Sequence, residues 1–156
     1  VTAELHPACE PLAFLLGTWR GEGHGEYPSI ASFDYGEEVT FTHAGKPFLV
    51  YSQMTWSLSD NAPMHSEMGF WRPQAGGVLE IVLAHPFGLT EVSSGTITGH
   101  RIETRAVNLI STPTAKEVEG LTRTFEATGD QLVYSLHMAT GGHSLQNHLG
   151  ARLRRA

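Results

Sequence analysis

The sequence predicts an all-β chain: a ten-stranded antiparallel up-and-down β-barrel behind a short N-terminal helix. Three observations predict it. Apolar and polar residues alternate with period two through much of the 156 residues, as half-buried strands require. Gly, Pro, Asn and Asp interrupt the alternation at short intervals, leaving roughly ten runs of about 6–12 residues. A meander of that many strands exposes two unpaired edges unless it closes, and closure into a barrel removes them. A barrel of eight to ten strands has room inside for one small ligand.

The elements follow in chain order. Glu10 to Leu16 is the one helical stretch, with Leu12, Leu15 and Leu16 clustered and Gly17 as its stop. Gly17 to Gly25, GTWRGEGHG, reads as a first strand whose glycines allow tight bending and whose Trp19 plugs a barrel end. A Gly-x-Gly run also raises a dinucleotide loop, but that motif follows a strand and opens a helix. Here Tyr27-Pro28 follows directly, and the chain contains no βαβ pattern. Glu37 to His43 alternates Val39 and Phe41 with Glu38, Thr40 and Thr42. Pro47 to Leu58 puts Phe48, Val50, Met54, Trp56 and Leu58 on one face. Gln131 to Met138 does the same with Leu132, Tyr134, Leu136 and Met138. Turn-forming residues separate these runs at Ala44-Gly45, Ser59 to Pro63, Gln74 to Gly77, Gly129-Asp130 and Gly141-Gly142. In the last strand, Leu145 to Arg155, Leu145, Leu149, Ala151 and Leu153 share a face. Strict alternation puts His148 on the other, with Gln146, Gly150 and Arg152.

Composition narrows the function. Apolar content of 40% and charged content of 17% fit one ordinary globular domain spanning residues 1–156. No apolar run approaches the ~20 residues of a membrane span. Val1 to Glu10 lacks the basic-then-apolar pattern of a secretory signal, which favours the cytoplasm. Sixteen acidic against ten basic residues argue against capture of nucleic acid or an anionic membrane. Arg152, Arg154 and Arg155 form the one basic cluster and read as a solvated strand end. Cys9 is the only cysteine, so neither a disulfide framework nor a thiolate metal cluster is available. Its setting suggests an incidental surface thiol.

Nine histidines supply candidate metal ligands. His65-Ser66-Glu67 has the His-x-Glu of zinc deaminases, but that chemistry also needs a Pro-Cys-x-x-Cys partner, which is missing. A lone strand histidine is usually a hydrogen-bonded wall residue, so by pattern His65 and His85 read as structural. No Gly-x-Ser-x-Gly nucleophile elbow is present.

Six segments in order carry a resemblance: LLGTWRGEGHGEYPSI at Leu15 to Ile30, GKPFLVYSQMTW at Gly45 to Trp56, PMHSEMGFWRP at Pro63 to Pro73, LAHPFGLTE at Leu83 to Glu91, PTAKEV at Pro113 to Val118, and SLQNHLGARLRR at Ser144 to Arg155. They resemble the nitrobindin family, which includes the C-terminal domain of a human THAP protein. That resemblance implies a ten-stranded barrel similar to fatty-acid-binding proteins and lipocalins, with ferric heme b near one end. It implies nitric oxide binding and isomerisation of peroxynitrite to nitrate. By motif, His148 matches the axial iron ligand, Ser29 a heme-contacting hydroxyl, Met64 and His65 the distal lining, and Lys116 a propionate partner. No catalytic residue beyond the heme iron is implied, and a homodimer is among the expected states. Ser111-Thr112 and Thr140 to His143 depart from the family's pattern, the second bringing His143 near His148. Two other readings stand beside this one. The barrel could carry an apolar small molecule among Trp19, Met54 and Trp56, or bind nitric oxide as a sensor or store without turnover.

Overall fold

The structure, a computed structural model, describes residues 3–156, so the first two residues of the Val1–Glu10 segment lie outside it. A 3₁₀ helix, Pro7–Leu15, leads into ten strands: β1 (Gly17–Tyr27), β2 (Ile30–Thr42), β3 (Leu49–Ser57), β4 (Pro63–Gln74), β5 (Val78–His85), β6 (Leu89–Thr98), β7 (Arg101–Ser111), β8 (Gly120–Thr128), β9 (Gln131–Ala139) and β10 (Gln146–Arg155). Each strand pairs antiparallel with its successor, and β10 returns to pair with β1. The barrel is closed, as the sequence predicts. No helix among the described residues is long and apolar enough to cross a membrane.

One end of the barrel is sealed by the 3₁₀ helix. Cys9, Leu12 and Leu15 are fully buried beside Trp19, and the helix packs against β4. Trp19 donates its indole N–H to the Leu15 carbonyl at 2.8 Å. The Arg155 guanidinium lies 4.1 Å above the Trp19 ring and donates to the Phe14 carbonyl at 2.9 Å. Two sequence expectations are corrected here. The helix begins at Pro7 rather than Glu10, because His6 caps it by accepting from the Ala8 amide at 3.1 Å. Pro11 lies within it and lacks the N–H that an α-helical ladder needs. Cys9 is a core residue, not a surface thiol, and burial pushes its pKa up. Arg152, Arg154 and Arg155 are exposed as expected, and Arg155 in addition clamps the end of β10 to the helix.

The alternation expected on β2 and β9 is observed, with Val39, Phe41, Leu132, Tyr134 and Leu136 all buried. On β3 it is inverted. Leu49, Tyr51, Gln53 and Thr55 point inward, while Val50 and Met54 are exposed. Periodicity separates two faces without saying which is inside, and this interior is polar enough to hold the face that looks hydrophilic. Met54 and Trp56 therefore do not line an internal cavity, as the carrier reading supposed. Outward-facing Val50, Phe70, Val82 and Val92 instead pair in register, forming an apolar row across β3 to β6.

The β1 glycines serve space rather than a nucleotide loop. A Cβ on Gly23 would lie 2.3 Å from the Tyr35 ring, and one on Gly25 would lie 2.2 Å from the Phe33 ring. Both rings occupy volume that only glycine leaves free. Replacing Arg155 with Ala removes the stacking and the helix-end hydrogen bonds. Urea unfolding should then show a loss of about 1–2 kcal/mol with the β spectrum intact. An unchanged midpoint would mean the helix is held without this residue.

Candidate functional site

Opposite the helix, the barrel interior opens as a cavity of about 350 Å³. Its lining comes from the ends of β3, β5 and β9, the starts of β2, β4, β6, β8 and β10, and the segment before β8. Phe33, Leu89, Val118, Leu121, Leu136, Met138 and Leu149 give it apolar walls. Met64, Lys116 and His148 stand at its more exposed margin, and Gln53, His65, Glu67, His85 and Arg123 form a polar interior face.

His148 enters this cavity through a break in register. Asn147 pairs with His137 and Leu149 with Leu136, so His148 is the extra residue of a β-bulge. A bulge re-aims side chains that alternation would otherwise separate, and here both His148 and Leu149 line the cavity. The imidazole Nδ1 lies 3.0 Å from the Glu26 carbonyl oxygen. A carbonyl only accepts, so Nδ1 carries the proton and Nε2 keeps its lone pair. The Tyr27 ring packs edge-on against the imidazole at 5.4 Å. Burial lowers the His148 pKa, partly offset by the Glu26 hydrogen bond, and Lys116 lowers it further. The balance favours the neutral ring, the form that binds a metal.

Below the apolar walls lies a buried ionic network. Arg123 pairs with Glu67 Oε2 at 3.1 Å and with Glu91 Oε1. Ser93 donates to Glu91 Oε1 at 2.6 Å, His85 Nε2 lies 2.9 Å from Glu91 Oε2, and Tyr51 donates to Glu67 Oε1 at 2.9 Å. Burial would raise both carboxyl pKa values, but Arg123 and the neighbouring imidazoles overcome it. Glu67 is held far below the usual range and Glu91 is lowered to about 2. Glu37 has no such cation. Burial raises its pKa to about 7, the hydrogen bond from Gln53 only partly opposing this and the charge of Glu67 adding to it.

Four of the five residues singled out from the sequence, Met64, His65, Lys116 and His148, line this one cavity. Ser29 lies in the exposed turn between β1 and β2, outside the lining. His143 packs against Tyr27 rather than lining the cavity. His85, read as structural, lines the cavity as well as bonding within the network. Glu37, Glu67, Glu91 and Arg123 were not identified from the sequence. Their signal was phase: Glu37 shares a face with Val39 and Phe41, Glu91 with Leu89, and Arg123 with Leu121 and Phe125, all inward positions.

Comparisons with known proteins place the whole chain among close relatives. The profile of the THAP4-like, heme-binding beta-barrel domain matches residues 8–155. Peroxynitrite isomerase 2 of Mycobacterium marinum is 54% identical over 157 residues, covering 98% of each chain. Peroxynitrite isomerase 1 of Mycobacterium tuberculosis is 49% identical over 162 residues, covering 99% of each. The crystal structure of Rv2717c from M. tuberculosis superposes with a TM-score of 0.92 at 47% identity, covering 98% of this chain and 99% of that one.

Glu37 gives the fold a pH dependence of definite sign. Its folded-state pKa lies above the ordinary 4.5, so its contribution is fully present below that value and is lost as pH rises through about 7. At pH 8 the buried carboxylate costs about 3 kcal/mol. Glu37→Gln should flatten the fall in urea stability between pH 5 and 8 and stabilise the protein at the upper end. A wild-type-to-variant difference independent of pH would contradict this account.

Proposed function

The chain belongs to the THAP4-like, heme-binding β-barrel family, and from that premise we propose that it holds ferric heme b at the open end of its barrel, binds nitric oxide and isomerises peroxynitrite to nitrate. The observation that carries this reading is the His148 bulge. It presents a neutral imidazole with a free Nε2 in an apolar cavity and ties the other nitrogen to a backbone carbonyl.

The residues fit the group. The cavity volume is within the range of small-molecule sites, whose walls are mostly apolar with a few placed polar atoms. Glu26 fixes the tautomer of His148 and increases its basicity as an iron ligand. Lys116 offers a cation at the cavity margin, suited to a heme propionate and to an incoming anion such as peroxynitrite. Met64 and His65 contribute lining, with His65 able to offer a hydrogen bond from a half-buried position. Ser29 joins this set as a hydroxyl at the same barrel end. When bound, heme would supply the redox-active iron, while the protein sets ligand, access and polarity. The apolar walls limit water around it.

The carrier reading loses Met54 and Trp56 to the outer surface and Trp19 to the sealed end. A sensor or store would share every contact named above and would differ only in turnover. We further propose a cytoplasmic location. The apolar row of Val50, Phe70, Val82 and Val92 is the surface on which a homodimer would form.

Titration of the full chain with hemin should give a saturable Soret band. His148→Ala should weaken binding by about 100-fold or more, the upper end of what even an outer-shell change costs a metal site, with its circular dichroism unchanged. Loaded wild type should then accelerate peroxynitrite decay, with nitrate as product. An unchanged Soret spectrum and affinity in the variant would remove His148 as the ligand. Tight heme binding without any acceleration would leave the sensor or storage reading.

A further inference from the structure

We propose that His65, Glu67 and His85 form a divalent-cation site at the polar face of the same cavity, sharing His65 with the proposed heme lining, a tetrahedral zinc-type centre with its fourth position reachable from the cavity. The proposal concerns groups other than His148 and does not depend on heme binding.

Geometry is the first argument. His65 Nε2, His85 Nδ1 and Glu67 Oε2 lie 3.4 Å from one another along all three edges. That is too long for sound N–H···O hydrogen bonds, which fall at about 2.7–3.2 Å. It matches the edge of a tetrahedral zinc centre, where bonds of about 2.1 Å place neighbouring ligands about 3.4 Å apart.

Protonation is the second. His85 Nε2 lies 2.9 Å from Glu91 Oε2, so a neutral His85 carries its proton on Nε2 and turns the Nδ1 lone pair toward the other two ligand atoms. Glu67 Oε2 is an acceptor as well. At most one proton, on His65 Nε2, is then available among three converging lone-pair positions. Glu91 stands behind His85 as the carboxylate partner that metal-bound imidazoles usually have, and Tyr51 holds the other oxygen of Glu67 at 2.9 Å.

Charge is the third. Glu67 and Glu91 set two carboxylates against the single guanidinium of Arg123, leaving the cluster with excess negative charge when both imidazoles are neutral. Arg123 shares Glu67 Oε2 and would compete with an ion there, but its second contact, to Glu91, retains it. Two imidazoles and one carboxylate with an open position is the ligand set of zinc sites that bind water or a small anion. All three ligand residues line the cavity, so such an exchangeable group would enter from it.

The test is a zinc titration of the chelator-treated full chain against a chromophoric competitor, with cobalt(II) absorption as the coordination readout. One zinc per chain and cobalt bands of tetrahedral intensity, discharged by zinc, are expected. His65→Asn should weaken zinc binding by about 100-fold or more and abolish those bands, since even outer-shell changes cost 10–100-fold. Its side chain is about one-third exposed, 34%, so the barrel should fold, as circular dichroism would verify. His85→Gln provides a second ligand deletion. His148→Ala should keep the zinc site intact, whatever it does to heme. Absence of stoichiometric binding would overturn the proposal. So would unchanged binding in His65→Asn, or loss in His148→Ala with retention in His65→Asn.

Discussion

The register between β1 and β10, from Trp19 opposite Arg155 to Gly25 opposite Leu149, joins the two edges of the sheet. Once those edges are joined, no strand can slip by one residue without turning its whole inner face outward. Every position is thereby committed to the interior or the surface, and side chains have to suit it. Gly23 and Gly25 suit it by having none, which admits the rings of Tyr35 and Phe33. His148 reaches the cavity only because one residue of β10 is inserted against β9. The site thus depends on one of the four places among the described residues where pairing around the barrel shifts register.

Closure also traps charge. Glu67, Glu91 and Arg123 are buried to within a few per cent, and removing one partner of such a pair commonly costs 3–5 kcal/mol because the other is left unpaired. Replacing all three with packed apolar groups need not destabilise the protein. Their presence therefore calls for a purpose beyond stability. Their position supplies one, since they fix the tautomer of His85 and hold Glu67 ionised beside the cavity. Glu37 belongs to the same interior without a cation and so favours its neutral form.

Much of the fold was legible because strands and turns leave local marks. The turn residues and inward faces of β2 and β9 stand where alternation puts them. β3 was inverted because hydropathy does not reveal whether an interior is dry. Tyr51 and Gln53 look like surface residues until Glu67 and Glu37 are found facing them. His148 came from a resemblance in the motif around it, since alternation alone sent it to the wrong face. A bulge has no signature in one strand, being a mismatch between two. The charge cluster was missed for a related reason: each member is an ordinary in-phase residue, and only the closed barrel brings Glu67, Glu91 and Arg123 together.

The contact between Leu16 and Arg155 joins groups 139 residues apart in sequence, and the pairing of β1 with β10 spans nearly the same distance. During synthesis β1 emerges first and its second partner last. Until β10 has emerged, one edge of β1 has no strand to receive it, and the indole of Trp19 lacks its guanidinium cover. Nascent chains with open strand edges are prone to wrong pairings. The 3₁₀ helix emerges just ahead of β1 and already carries the Leu15 carbonyl that Trp19 binds. It can therefore shelter that end of the first strand from other chains while the ribosome is still building the last.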